Sequence, residues 1–324
     1  MQPDDIDDDL TRLKDLYALD LIDAPVDERF APYTRLAARC MGAPIAHVTL
    51  LGDDRQVLCA PVGIELSQGP REESFCTHIV DDDLGVLVVE DTREDPRFRD
   101  LPMVRDEPNV RSYIGAPITT GGGHVVGTMC VLDLVPRRFD PSDHEMLLDL
   151  VVLVAREIDH ASLALTDDLT GLANRRSFMA VAESFLALAR RHDGSISVVF
   201  VDVDRLKQVN DEDGHAAGDD VLRRAASALS SSVRDSDLVA RLGGDEFGVV
   251  MYGPSPGELG AVVERLTAAV AGAGGSAPPG RSPSMSCGTA TSRAGDSVLD
   301  VLARADAAMY DAKRRASAAR VDAR

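Results

Sequence analysis

Residues 240–250 read ARLGGDEFGVV, two apolar runs that reverse over Gly-Gly-Asp-Glu, and that pattern is a β-hairpin. Its turn carries two adjacent carboxylates, Asp245 and Glu246, which repel one another unless a cation lies between them. A Lys or Arg could serve; a divalent ion on a nucleotide phosphate is the more economical source. Gly243 and Gly244 would let the turn take positive φ and approach a ligand with no Cβ in the way. Upstream, SISVVFVDV (195–203) is the nearly continuous apolar run of a buried central strand, and it ends in Asp202-Val203-Asp204. A strand delivering an acid at its exit, beside a hairpin carrying two more, gives a carboxylate cluster able to hold two divalent ions. Lys207, Asn210, His215 and Asp219 follow on the loop and helix behind it.

Four stretches carry a resemblance to a known family: DDLTGLANRRSF (167–178), VDVDRLKQVNDEDGHAAGDDVL (201–222), RLGGDEF (241–247) and ADAAMYDAK (305–313). In this order they resemble the GGDEF domain of diguanylate cyclases. The resemblance implies a ferredoxin-like palm, a fold that the order of helices and strands around a central hairpin also fits. It implies condensation of two GTP into cyclic di-GMP with release of two pyrophosphates. Asp202, the Val203 carbonyl and Asp245 would hold the metal, with Glu246 joining the cluster, and two Mg²⁺ or Mn²⁺ are expected per active site. Asp245 is also the proton acceptor that the family suggests, although a metal-bound carboxylate is a poor base. Lys207 and Lys313 match phosphate-contacting positions, and His215 and Arg241 fall among the substrate-binding ones.

Asn210 and Asp219 match guanine-reading positions. Guanine offers N1–H and N2–H₂ as paired donors that a carboxylate accepts, whereas adenine presents an acceptor at N1, so Asp219 argues for GTP. Asp219 also reads as an N-cap of the helix that follows. The family often continues past the last lysine with Gly-Arg-Asn; here Lys313-Arg314-Arg315 follows, so one phosphate arginine is missing or shifted. Arg234-x-x-Asp237 stands upstream of the hairpin at the family's product-inhibition offset, with Arg265 as its second arginine. Arginine forks suit guanine edges and phosphates.

The first half reads differently. Helical spacing gives a short helix through Leu10, Leu13, Leu16 and Tyr17, after a tail (1–9) whose five Asp predict disorder. A second helix carries Phe30, Tyr33, Leu36 and Ala37 and ends near Gly42. IAHVTLLGDD, RQVLCAPVG, GVLVVED and SYIGAPITTGGGHVVGTMCVLDL then read as strands of an antiparallel sheet, with ESFCTHIV a short helix between them. This run resembles a GAF domain, a sensor fold that often holds a small ligand between sheet and loops, so an unidentified ligand is implied. The Asn-Lys-x-Phe-Asp-Glu pattern of cyclic-nucleotide-binding members is absent. Cys76 and His78 could ligate a metal or haem or attach a bilin; packing of the thiol as a small hydrophobe is the plainer reading, and no GAF cofactor is assigned. A redox role for Cys76 and Cys130 finds no support in the residues themselves.

Between the halves, Leu147, Val151, Val154, Ile158, Ala161 and Leu165 step by 4, 3, 4, 3, 4. That is the seam of a two-helix coiled coil, predicted to join two copies through 147–165. One amphipathic helix packed on its own sheet would show the same pattern.

The whole is α+β: a tail and short helix (1–20), a GAF-like antiparallel sheet with flanking helices (21–143), a coiled-coil linker (144–166) and a cyclase-like palm (167–324). A formal net charge of −20 argues against nucleic acid or an anionic membrane as partner, and leaves a polyanionic substrate to local cations. No apolar run reaches the ~18 residues of a span, and the N-terminus lacks a basic-then-apolar leader. With five scattered cysteines the expectation is a reduced, cytoplasmic protein. No phosphodiesterase domain is expected, because the chain ends soon after its last helix. Two functions are open: an active cyclase governed by its GAF domain and its product, or a silent receptor of GTP or cyclic di-GMP. The intact acids favour the enzyme.

Overall fold

The computed structural model describes residues 3–22, 28–82, 84–254, 257–273 and 283–322. Two compact units result, Asp15–Ala164 and Leu165–Arg324, the second grouped with Met1–Lys14.

The chain opens with helix α1 (Pro3–Ala18), which includes the acidic stretch expected to be disordered. In the first large unit α2 (Ala31–Met41) precedes β1 (Ile45–Leu51), β2 (Arg55–Val62), β3 (Gln68–Pro70), α3 (Thr77–Asp81), β4 (Leu87–Val89), α4 (Pro102–Arg105), β5 (Ser112–Thr119) and β6 (Val125–Asp133). They form one antiparallel sheet ordered β3-β2-β1-β6-β5-β4. The short strand β3 has no alternation to mark it in the sequence. Helix α5 (Pro141–Leu163) closes this unit; Asp140 caps it, accepting from the Ser142 and Asp143 amides while Asp143 returns the bond.

Helix α5 corrects the seam. Leu147, Val151, Val154 and Ile158 are buried, because α5 lies on β5 and β6 of its own sheet. The apolar side chains left outward are Leu148, Val152, Leu153 and Leu163. A heptad pattern and a sheet-packing stripe are the same pattern, and here the sheet takes it.

The second unit contains β7 (Ala173–Asn174), α6 (Arg175–Arg191), β8 (Ile196–Val203), α7 (Leu206–Asp213), α8 (His215–Ser230), β9 (Leu238–Arg241), β10 (Glu246–Tyr252), α9 (Leu259–Gly272), β11 (Met285–Thr291) and α10 (Val298–Asp322). Its sheet runs β11-β8-β10-β9-β7, antiparallel except where β7 meets β9. Two helices follow β8: α7 and α8 meet at Gly214, whose φ of 84° breaks the run. Val199, Val201, Phe247, Val249, Val221, Leu222 and Leu266 build the core that fixes β8 and β10 against α8 and α9.

Candidate active site

Strand register assembles the acids. Glu246 of β10 pairs across from Asp202 of β8, and Ser286 of β11 flanks Asp202 on its other side. The Val203 amide donates to the Asp245 carbonyl at 2.9 Å, which ties the turn to the exit of β8. A one-residue slip would turn these carboxylates into the core, so the apolar pattern of β8 and β10 sets the site. Asp204 serves elsewhere: its carboxylate accepts from the Ser284 and Ser286 hydroxyls at 3.1 and 2.7 Å.

The glycines of the turn act sterically. Neither Gly243 nor Gly244 has positive φ, contrary to expectation. A Cβ on Gly243 would lie 2.8 Å from the Glu246 carboxylate, while one on Gly244 would meet nothing within 4 Å. The first makes room for Glu246; the second leaves open space over the turn.

A cation already stands in this cluster. A Cβ on Gly288 would lie 2.0 Å from the Met309 amide nitrogen, so α10 rests directly on the backbone of β11. Lys313, one turn further along α10, then places its Nζ 2.6 Å from Asp202 Oδ1. Burial raises the Asp202 carboxyl above its ordinary value; Lys313 opposes this, and Asp245 and Asp204 add to it. Burial also raises Glu246, with Asp245, Asp306 and Asp202 adding to the shift. Burial pulls Lys313 down, but Asp202, Asp204 and Asp245 outweigh it and hold the ammonium above its usual value.

All the candidate donors here are oxygens, which is the chemistry of a hard divalent cation. Among the described residues, no three His, Cys, Asp or Glu side chains converge as a complete metal shell. Magnesium, which takes one or two carboxylates and completes its shell with phosphate and water, asks no more of a protein. With a lysine ammonium already drawn to Asp202, the residues fit such an ion.

Beside the acids opens a cleft of about 490 Å³, lined by Lys207, Asn210, His215, Asp219, Arg241 and Asp245, with Gly244 at its rim. The size falls within the roughly 300–1,000 Å³ of small-ligand sites. Gly218 lets α7 and α8 approach closely, since a Cβ there would lie 1.9 Å from Asn210 Oδ1, and Asn210 and Asp219 both line the cleft. Asp219 lies inside α8, whose N-cap is Gly214, so the capping alternative is removed.

Residues 25–158 match the model of the GAF domain, and residues 164–318 match that described as "Diguanylate cyclase, GGDEF domain". The chain is a GAF domain followed by a GGDEF domain. It is 31% identical over 253 residues to the cyclic di-GMP phosphodiesterase PA2567 of Pseudomonas aeruginosa, covering 76% of this chain and 42% of that protein. It is 32% identical over 234 residues to the response regulator PleD of Caulobacter vibrioides, covering 68% of this chain and 50% of that protein. To the diguanylate cyclase DgcP of Pseudomonas aeruginosa it is 37% identical over 165 residues, covering 48% of this chain and 23% of that protein. The chain thus spans half the length of these relatives or less. Among its described residues, no helix is long and apolar enough to cross a membrane.

Within the GGDEF domain Arg241 does something the sequence did not reveal. Its Nε and Nη2 donate to the Gly243 and Gly244 carbonyls, and its Nη1 donates to both carboxylate oxygens of Asp167 at 3.1 and 3.2 Å. Expected among the substrate ligands, Arg241 lines the cleft and also braces the turn from within. Asp167 also accepts from the Thr170 amide and hydroxyl. Burial works against its ionisation, but Thr170 and Arg241 prevail and hold the Asp167 carboxyl below its ordinary value. The available signal was DDLTGL itself: an acid three residues before a Thr closes a turn on its own backbone.

Arg234, Asp237 and Arg265 meet at one loop. The Asp237 carboxylate accepts from the Arg234 amide at 3.1 Å, and Arg265 Nε donates to the Ser232 carbonyl at 2.7 Å.

Proposed function

We propose that this chain is a diguanylate cyclase that joins two GTP molecules into cyclic di-GMP. The observation that carries the reading is the cleft, which runs from the guanine-type acceptors Asn210 and Asp219, past Lys207, to Asp245 beside the Asp202–Glu246 pair. Asp219 accepts the N1–H and N2–H₂ donors of guanine, and Asn210 completes the edge. Lys207 and Lys313 bring positive charge to the phosphates of a chain that is otherwise acidic. Asp202, the Val203 carbonyl, Asp245 and Glu246 would hold the divalent ions. Once bound, magnesium or manganese lowers the pKa of the attacking 3′-hydroxyl and neutralises charge on the departing pyrophosphate. Asp245 would accept that hydroxyl proton, and the Arg241–Asp167 brace would keep the turn from moving as charge develops.

One cleft holds one GTP, and each 3′-hydroxyl must attack the α-phosphate of the other nucleotide. Two chains must therefore face each other. The outward Leu148, Val152 and Leu163 of α5, rather than the buried seam, supply the apolar stripe for a homodimer. Product at Arg234, Asp237 and Arg265 would then hold the half-sites apart, and the GAF domain would set how often they meet.

The test is purified chain with GTP and Mg²⁺, the product identified by mass. Cyclic di-GMP with two pyrophosphates per turnover supports the cyclase. GTP or cyclic di-GMP bound without turnover would make the chain a receptor instead. Asp219→Ser should narrow the preference for GTP over ATP by about tenfold or more, since a buried donor pair loses its acceptor; an unchanged ratio would remove Asp219 from base reading.

A further inference from the structure

The GAF core contains a group of polar atoms that the cyclase reading does not use. Pleating puts His47 and Thr49 of β1, Thr128 and Cys130 of β6, and Tyr113 and Gly115 of β5 on one face of the sheet, with His47 paired to Cys130 and Cys130 to Gly115. Cys76, just before α3, comes down on this row. Its sulfur lies 3.3 Å from the Cys130 sulfur and 3.6 Å from the Tyr113 hydroxyl; Cys130 is 3.2 Å from that hydroxyl and 3.0 Å from the Thr128 hydroxyl. Both cysteines are buried and free, among Phe75, Ile79, Phe98, Val110 and Leu132. Gly115 makes the arrangement possible, since a Cβ there would lie 2.0 Å from the Tyr113 oxygen.

Two buried thiols need only pack as small hydrophobes. These two do more, because their sulfurs face each other and one opens on a void. Cys76, His47, Ser74 and Tyr113 line a cavity of about 10 Å³, room for roughly one water-sized guest. The two thiols are also unlike. Burial disfavours a thiolate at Cys76, but hydrogen bonds from Cys130, Thr128, Thr49 and Ser74 prevail and hold it below the ordinary thiol value. Burial pushes Cys130 well up, and its neighbour Cys76 pushes it further. One thiol is poised to attack and the other to resolve.

We propose that Cys76 and Cys130 form a dithiol oxidised to an intramolecular disulfide by a small hydroperoxide, with Cys76 as the attacking and Cys130 as the resolving thiol. In the first step the Cys76 sulfur bonds to one peroxide oxygen, the O–O bond breaks, and the second oxygen leaves as water with the thiol proton. Cys76 is then a sulfenic acid. In the second step the Cys130 sulfur bonds to the Cys76 sulfur, the S–O bond breaks, and hydroxide leaves with the Cys130 proton as a second water. Two thiols have given two electrons to one hydrogen peroxide. The sulfurs need close only from 3.3 Å to about 2 Å to bond. The void bounds the oxidant by size: hydrogen peroxide, only one oxygen larger than water, is the class that can approach Cys76 there, whereas glutathione disulfide or a protein disulfide cannot enter a space of about 10 Å³.

The experiment needs no nucleotide, so its failure and that of the cyclase reading are independent. The whole chain, reduced, is exposed to stoichiometric hydrogen peroxide, alkylated under denaturing conditions and mapped without reductant. The expected result is a Cys76–Cys130 cross-linked peptide, a mass loss of about 2 Da, and reversal by dithiothreitol. Cys130→Ser should instead leave Cys76 as a sulfenic acid captured by a 1,3-dione. Oxidised glutathione should leave the pair reduced in the folded chain. Oxidation of the exposed Cys40 with Cys76 and Cys130 recovered as free thiols would overturn the proposal, as would a dione adduct on Cys130 in a Cys76→Ser chain. Oxidation by glutathione disulfide as fast as by peroxide would overturn the choice of oxidant.

Discussion

The GAF core and the GGDEF cleft both gather polar groups, and they treat them in opposite ways. In the GAF unit Cys76, Cys130, Tyr113 and Thr128 answer one another, and the space beside Cys76 and Tyr113 has room for about one water. In the GGDEF unit Lys207, Asn210, His215 and Asp219 line an open cleft nearly fifty times larger, 490 against 10 Å³. A set of polar groups that satisfies itself stabilises the fold. A set left facing open space is complementary to something absent, and its cost is borne by the rest of the unit. Substitutions in the first region should therefore cost stability, and substitutions in the second should cost activity.

The largest effect expected is at the strand exit. Asp202→Asn or Asp245→Asn should lower cyclic di-GMP synthesis by about 10²-fold or more, while the unfolding midpoint stays near that of the parent. Steady-state turnover beside a thermal melt checks it. A variant that loses activity only in proportion to its folded fraction would place the acid in the scaffold rather than the site.

Next comes the closed region. Gly115→Ala should cost roughly 1–3 kcal/mol, because its Cβ would sit where the Tyr113 hydroxyl lies and the packed core cannot yield. Gly244→Ala adds the same methyl to open space and should leave the melt unchanged. Equal losses at the two positions would erase the distinction between the regions.

Much of this was legible beforehand. The longer strands of the GAF sheet, β8, the β9–β10 hairpin, and the convergence of Asp202, Asp245 and Glu246 follow from apolar period and turn chemistry, which are local. What was not legible depends on distance along the chain. Arg241 reads as one more cation near a phosphate site until Asp167, seventy-four residues away, takes its guanidinium. Lys313 is a phosphate ligand by resemblance, yet its place on Asp202 follows from the backbone contact at Gly288, which no periodicity encodes. The α5 seam misleads for a related reason: a stripe shows that a face is covered, never by what.

That ambiguity supplies the third prediction. Leu148 and Val152 are 45% and 49% exposed, so Leu148→Asp with Val152→Asp should leave the GAF unit folded and weaken self-association, lowering turnover at dilute protein. Val154→Asp, in the seam first expected to join two copies, should unfold the GAF unit instead, because its side chain is fully buried. Sedimentation and circular dichroism on the two variants separate the faces. If Val154→Asp stayed folded and merely became monomeric, the seam would after all be the interface.

The smallest effect expected lies where the two behaviours meet, at the brace behind the turn. Asp167 and Arg241 are as self-satisfied as the GAF thiols, yet they hold the one turn that faces the cleft. Asp167→Asn should lower stability at neutral pH by about 1–2 kcal/mol, the scale of a hydrogen bond between charged groups. The sign of its pH dependence follows from the depressed carboxyl. A group whose folded pKa lies below its unfolded value, about 3.9 for Asp, stabilises fully above that value and loses its contribution as pH falls through the folded one. The gap between parent and Asn variant should thus stay constant from neutral pH down to about pH 5 and close below about pH 4. Activity should fall by less than in the strand-exit variants, since the turn keeps its register while losing only its anchor. A gap that widened on acidification would mean that Asp167 is protonated in the folded chain, and the brace would then be a neutral hydrogen bond with no purchase on the turn's charge.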